Sequence, residues 1–252
     1  MVCDHTSERT KGLRMRLPRV PSLQHFARLS DANSEKINFR LKELSENPPW
    51  LSYNQAKPIA RDHLTLNTSE TDVLRAALLV KGERKRAAIN AALIAFLKYA
   101  RTIEARRYID VQVRYFPIGR HLLVPVNPFL FGVGPNGPVL LWLSYWSALN
   151  LTETQLAIFA TLLELTFFQT PDFVDVELEF VDLGKPPQWS SRDVRIFRRQ
   201  DLPQISEREL RKFTDAFVDG YLSVREEIIR SRYERDTRRP TGSDPLFLDN
   251  PF

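Results

Sequence analysis

Apolar residues recur along this chain with two different periods, and the change of period marks out its plan. The first third is helical in spacing. Ser22 caps a short helix through Leu29, and Ser34–Leu44 sets Ile37, Leu41 and Leu44 on one face of a second. Asn47-Pro48-Pro49 stops it. Tyr53–His63, with Pro58 in its first turn, and Thr71–Val80, with Val73, Leu74, Ala77 and Leu78 as a stripe, predict two more. A longer helix over Arg84–Glu104 carries Ala88, Ile89, Leu93, Phe96, Leu97 and Ala100 on its apolar face.

At Tyr108 the period drops to two. In Tyr108–Phe116, Ile109, Val111, Val113 and Tyr115 alternate with Asp110, Gln112 and Arg114, the pattern of a half-buried strand. His121–Phe131 is a second extended run. Its two prolines cannot donate ladder hydrogen bonds, so they make it an edge or bulged strand. After the turn Gly134-Pro135-Asn136-Gly137, Pro138–Ser147 is apolar almost without interruption, as expected of a central strand covered on both faces. The helical period returns at Thr152, where Thr152 and Gln155 have the form of a capping box. Phe173–Val181 is the next strand and Arg192–Phe197 an edge strand. A long helix over Ser206–Arg230 closes the pattern.

The fold class predicted is α/β, of the α+β type: a helix, a three-stranded meander, a helix and a strand, with N-terminal helical additions and a long C-terminal helix. Residues 1–20 read as a flexible basic leader and 21–83 as a helical N-terminal extension. Residues 84–233 read as the α/β core domain and 234–252 as a flexible tail.

Composition narrows the chemistry. Gly is scarce, at 9 of 252 residues, which argues against glycine-rich nucleotide-binding loops. The single cysteine, Cys3, excludes an internal disulfide and a Cys-cluster zinc site, so a reducing compartment and a cytoplasmic location are expected. The longest apolar stretch, Val139–Trp146, falls well short of the roughly 20 residues that span a bilayer, so no membrane partner is expected. The formal net charge of +5 permits nucleic-acid contact without demanding it. The four histidines (His5, His25, His63, His121) show no ligand spacing, and neither a metal site nor a cofactor is expected.

The succession helix, three antiparallel strands, helix, strand over about residues 84–183 resembles the common core of the PD-(D/E)XK nuclease-like superfamily. That resemblance implies an acid on the second core strand and a (D/E)-x-K triplet on the third, two carboxylates holding a divalent metal and a lysine positioning the attacking water. This chain has Asn127 where the first acid belongs. It has Leu141, Trp142, Leu143, Ser144 and Tyr145 where the triplet belongs. The positions of the resemblance, Asn127, Leu141, Leu143 and Ser144, therefore describe a degenerate site with no catalytic residue, and a pseudoenzyme is the consistent expectation.

Two basic sets are candidates for phosphate contact. One is Arg84, Lys85, Arg86, Arg101, Arg106, Arg107 and Arg114. The other is Arg192, Arg195, Arg198 and Arg199, near Trp189 and Phe197, a mixture suited to single-stranded nucleic acid or to a protein interface. The first set also reads as an ordinary solvated face. The acidic stripe Asp175, Glu177 and Glu179, beside Asp172 and Asp182, reads as a solvated strand face, because no second carrier of metal ligands appears at a recognisable spacing. Trp142, Trp146 and Trp189 are candidate interface residues.

Three functional expectations follow. The first is a non-catalytic nuclease-like protein, nucleic-acid-associated or scaffolding, working beside a catalytic partner in a process such as bacterial defence. The second is a protein-interaction subunit or homo-oligomer with no nucleic-acid role. The third is an enzyme whose site is assembled from dispersed residues.

Overall fold

The computed structural model describes residues 17–47, 52–103, 107–119, 121–149, 151–186 and 188–237. Most of the leader expected at 1–20, most of the tail expected at 234–252, and Arg106 lie outside the described residues.

Within them the chain forms helices α1 (Leu23–Leu29), α2 (Ser34–Glu46), α3 (Ala56–Leu66), α4 (Glu70–Leu78) and α5 (Glu83–Ala100) before any strand. Strands β1 (Arg107–Ile109), β2 (Arg114–Pro117), β3 (Leu123–Val126), β4 (Leu130–Gly134) and β5 (Gly137–Ser144) follow. Helix α6 (Glu153–Leu163), strands β6 (Glu177–Asp182) and β7 (Arg195–Arg198), and helix α7 (Glu207–Thr237) complete the order. Five strands make one mixed sheet in the order β1-β4-β5-β6-β7. β5 and β6 are parallel and the other neighbours antiparallel. The expected α/β class is what forms, with α6 as the crossover that a parallel pair requires.

β5 explains the layering. Its side chains alternate between two separate apolar cores. Leu140 and Trp142 enter one with Phe26, Phe159, Phe180 and Phe217, roofed by α1, α2, α6 and α7. Leu141 and Leu143 enter the other with Leu93, Phe96 and Val181, roofed by α3, α4 and α5. Residues 21–83, read as a helical extension, carry α1 to α4, whose side chains help wall both layers. Gln24 marks how closely α1 is built in. Its amide donates to the Ser144 hydroxyl at 2.7 Å and accepts from the Trp142 indole at 3.2 Å.

The meander differs from the sequence expectation. The run 108–116 does not stay in one strand. Tyr108–Ile109 belongs to the main sheet, and Arg114–Pro117 pairs with Leu123–Val126 as a two-stranded hairpin. The run 121–131 likewise splits, with Asn127-Pro128 at the break between β3 and β4. The core meander is therefore β1-β4-β5, with the hairpin inserted after its first strand. The phase of β1 is also reversed. Tyr108 is buried whereas Ile109 is 52% exposed, because the ring of Tyr108 lies on Gly132 of β4, where any Cβ would come within 2.8 Å of it. Phe173–Val174 is turn rather than strand, so β6 starts at Glu177.

Candidate functional site: a basic, aromatic groove

β5 and β6 run parallel, and their carboxyl ends open between the two helical layers, the usual position for a ligand crevice in an α/β sheet. A groove of about 1330 Å³ lies there. α1 contributes His25 and Arg28, the turn before α3 contributes Tyr53, and α3 itself contributes Lys57 and Arg61. The floor is Trp142, Tyr145 and Trp146 at the end of β5, with Asn127 and Phe129 from the β3–β4 break. Lys185 and Arg192 come from the loop after β6. On α5 the wall is Ala88, Ala91, Ile94 and Ala95, ending at Lys98, with three alanines among them. The short side chains of the alanines leave the space that larger residues would fill.

The charge is one-sided. Among the described lining residues six are Lys or Arg, and Asp110 is the single carboxylate. Asp110 is already paired with Arg61. Lys98 lies 3.5 Å from Asp193. Arg192 is buried and its guanidinium is spent on structure. It donates to the carbonyls of Tyr145 at 3.2 Å, Trp146 at 2.9 Å and Leu183 at 2.8 Å. Arg28 lies over the Trp146 ring, 5.3 Å from its centre. Arg28, Lys57 and Lys185 thus bring positive charge to the groove with no acidic partner among the described residues. Lys57 is still exposed to solvent, and partial desolvation beside the groove lowers its pKa. His25, 5.1 Å from Trp146, has its pKa lowered by desolvation and then by the nearby Arg28 and Lys57.

The floor is aromatic. Tyr53 and Tyr145 lie near parallel with ring centres 6.5 Å apart, and Phe129 meets Tyr145 edge-on at 6.4 Å. The Tyr145 hydroxyl is buried without a hydrogen-bond partner among the described residues, and burial holds its pKa well above the ordinary value.

The positions carried by the nuclease resemblance meet partly. Asn127 is exposed on the groove beside Trp142 and Leu143. Leu141 is enclosed in the α5-side core, and Ser144 is fully buried against Gln24. The acids near these positions are already engaged: Asp110, on the same groove as Asn127, pairs with Arg61, and Asp182, beside Ser144 in the parallel register, pairs with Arg195. Glu177 is exposed opposite Val139, and Glu179 accepts from the Tyr99 hydroxyl at 2.6 Å. Among the described residues no three His, Cys, Asp or Glu side chains gather to hold a metal ion. Asp182 is buried, pairing with Arg195 and accepting from the Gly184 amide at 3.1 Å.

Most arginines singled out by sequence lie elsewhere. Arg84, Lys85 and Arg86 sit in the first turn of α5 and Arg107 at the start of β1. Arg101 is paired with Glu70, and Arg114 donates to the Thr166 carbonyl at 3.0 Å while lying over Phe167 and Phe173. Arg195 is held by Asp182, and Arg199 by Glu164 at 2.6 Å. Arg198 is exposed on the outer strand β7. Of the second set only Arg192 reaches the groove, as a brace. Trp142, expected at an interface, is 5% exposed because it packs edge-on against Phe159; Trp189 is open, at 58%. His25, Arg28, Tyr53, Lys57 and Lys185 escaped sequence reading because they come from three distant segments with no shared spacing.

No protein-family model matches the sequence, and neither the curated proteins nor the solved structures yield a match. No described helix is long and apolar enough to cross a membrane.

Proposed function

We propose that this protein is a non-catalytic, nucleic-acid-associated subunit built on a nuclease-like core, acting beside a catalytic partner in a process such as bacterial defence. The observation that carries the reading is the convergence of Arg28, Lys57 and Lys185, without acidic partners among the described residues, on one groove at the sheet's carboxyl end. Phosphates neutralise such charges and release counterions, which is the main source of non-specific nucleic-acid affinity. The order α5, antiparallel β1-β4-β5, α6 and parallel β6 supports the nuclease-like part of the reading. Asn127, Leu141, Leu143 and Ser144 support its non-catalytic part, since none can supply the charge that holds a divalent cation.

Labelled DNA and RNA titrated with the full chain at rising salt test this. Binding that weakens steeply with salt, with no cleavage in magnesium or manganese, is the expected result. Metal-dependent cleavage refutes it. Absence of binding at low salt favours the protein-interaction reading, for which Leu74 and Leu78, one turn apart on α4, and the adjoining Leu79 offer exposed apolar surface.

A further inference from the structure

We propose that the groove takes a single strand rather than a duplex, with unpaired bases laid on Trp146 and Tyr53 and phosphates on Arg28, Lys57 and Lys185. This rests on the nucleic-acid reading above and specifies its ligand. Cations alone suit any polyanion; the aromatic floor is what discriminates. Trp146 and Tyr53 are partly exposed rings recessed between the helical layers, in a groove that holds about 1330 Å³. Pockets for small molecules run to roughly 300–1,000 Å³, so the space exceeds what a lone small ligand fills. The bases of a duplex are stacked on one another inside it and cannot reach recessed rings. An unpaired base can, and sequence-tolerant stacking on aromatic side chains beside a basic track is how single strands are held.

A second observation points the same way. Tyr145, 3% exposed, is part of the groove floor, and its buried hydroxyl has no hydrogen-bond partner among the described residues. Its ring is flanked by those of Tyr53 and Phe129. A base carries donors and acceptors on its edge and a flat apolar face, and that face suits the half-exposed rings of Tyr53 and Phe129. A bare sugar-phosphate chain offers neither.

The test compares three ligands on the unmodified protein by fluorescence anisotropy. They are an oligothymidylate of about ten nucleotides, within the span a single-strand groove covers, the same strand annealed to its complement, and an abasic strand of equal length. The expected result is about tenfold tighter binding of oligothymidylate than of either other ligand. Equal, salt-sensitive binding of all three overturns the single-strand inference and leaves the nucleic-acid reading standing. No binding of any at low salt overturns both. Photo-crosslinking with a thiothymidine-substituted strand locates the contact in the wild-type chain. Crosslinks on the peptide holding Tyr145 and Trp146 agree with the proposal, and crosslinks confined to β7 or α7 overturn it.

Discussion

Arg192 donates a 2.5 Å hydrogen bond to the hydroxyl of Tyr53, joining a loop after β6 to the turn that opens α3. The same guanidinium holds the carbonyls of Tyr145, Trp146 and Leu183, so one side chain fixes the floor of the groove and one of its walls. Replacing Arg192 with Met leaves those carbonyls without a donor in a buried place. The expected loss is about 2–4 kcal/mol of stability, the scale of charged hydrogen bonds removed from the interior, read by urea unfolding. Arg192→Lys recovers only part of it, since an ammonium lacks the planar fork.

Neutral substitutions of Arg28, Lys57 and Lys185 separate the groove from the rest of the basic surface. Each single change to Gln is expected to lower the slope of log affinity against log salt by about 0.7 for a single strand. Arg198→Gln, on the outer strand, leaves the slope unchanged. A slope that follows Arg198 and ignores Lys57 places binding elsewhere.

His25 makes polyanion binding depend on pH. Its pKa in the free protein lies below the ordinary 6.5, because partial desolvation on the groove, although the side chain stays exposed, and the charges of Arg28 and Lys57 disfavour the imidazolium. A bound phosphate compensates those charges and raises it, so binding takes up a proton. Affinity is expected to rise as pH falls through the region below 6.5, and His25→Gln to flatten that dependence. Anisotropy titrations across a pH series check both.

Asp182 sets a pH dependence of stability with the opposite cause to most paired acids. Desolvation raises its folded pKa above the ordinary 3.8, outweighing the attraction of Arg195 and the Gly184 amide. The native state therefore holds the proton more tightly than the unfolded chain does. Its contribution is full below 3.8 and is lost as pH rises through the raised value. The stability of wild type relative to Asp182→Asn is expected to decline over that rise in urea melts. A difference that grows with pH means that the ion pair outweighs burial.

Gly220 lies inside α7 where a Cβ would stand 2.6 Å from the backbone carbonyl of Ser34. Alanine in a helix ordinarily stabilises relative to glycine by about 1 kcal/mol. Here it is expected to destabilise by about 1–3 kcal/mol, because the first turn of α2 is backbone and cannot step aside. Thermal unfolding gives the sign directly.

The sequence made the class of fold readable through its periods. β5 is apolar at every position from Val139 to Leu143, and two-sided burial follows from that alone. Helix α6 was readable from its cap, since both halves of the Thr152–Gln155 box form. The split of 108–116 was not readable. Alternation continues through Asp110–Val113 although the chain leaves the sheet there, and period two does not say which sheet a strand joins. The groove was less legible still. Arg28 and Lys57 look like solvated charges in their own helices, and only the crossover through α6 sets the end of β5 between them. The alanines of α5 offered a faint signal, small residues at helical spacing ahead of Lys98, hidden because alanine also reads as core.

The meeting of α2 with α7 has a consequence for how the chain comes into being. Asn38 donates to Ser223 at 2.9 Å, and the Tyr221 hydroxyl donates to the carbonyl of Pro18 at 2.8 Å. The partners in both contacts are separated by most of the polypeptide. During synthesis α2 emerges early and waits for α7, whereas α1 can settle on α6 and the end of β5, and α3, α4 and α5 find one another as near neighbours in sequence. Assembly thus begins on the α5 side of the sheet and closes late on the other, at the slow pace set by non-local contacts. α2, residues 34–46, spends that interval with Ile37 and Leu41 not yet covered by α7.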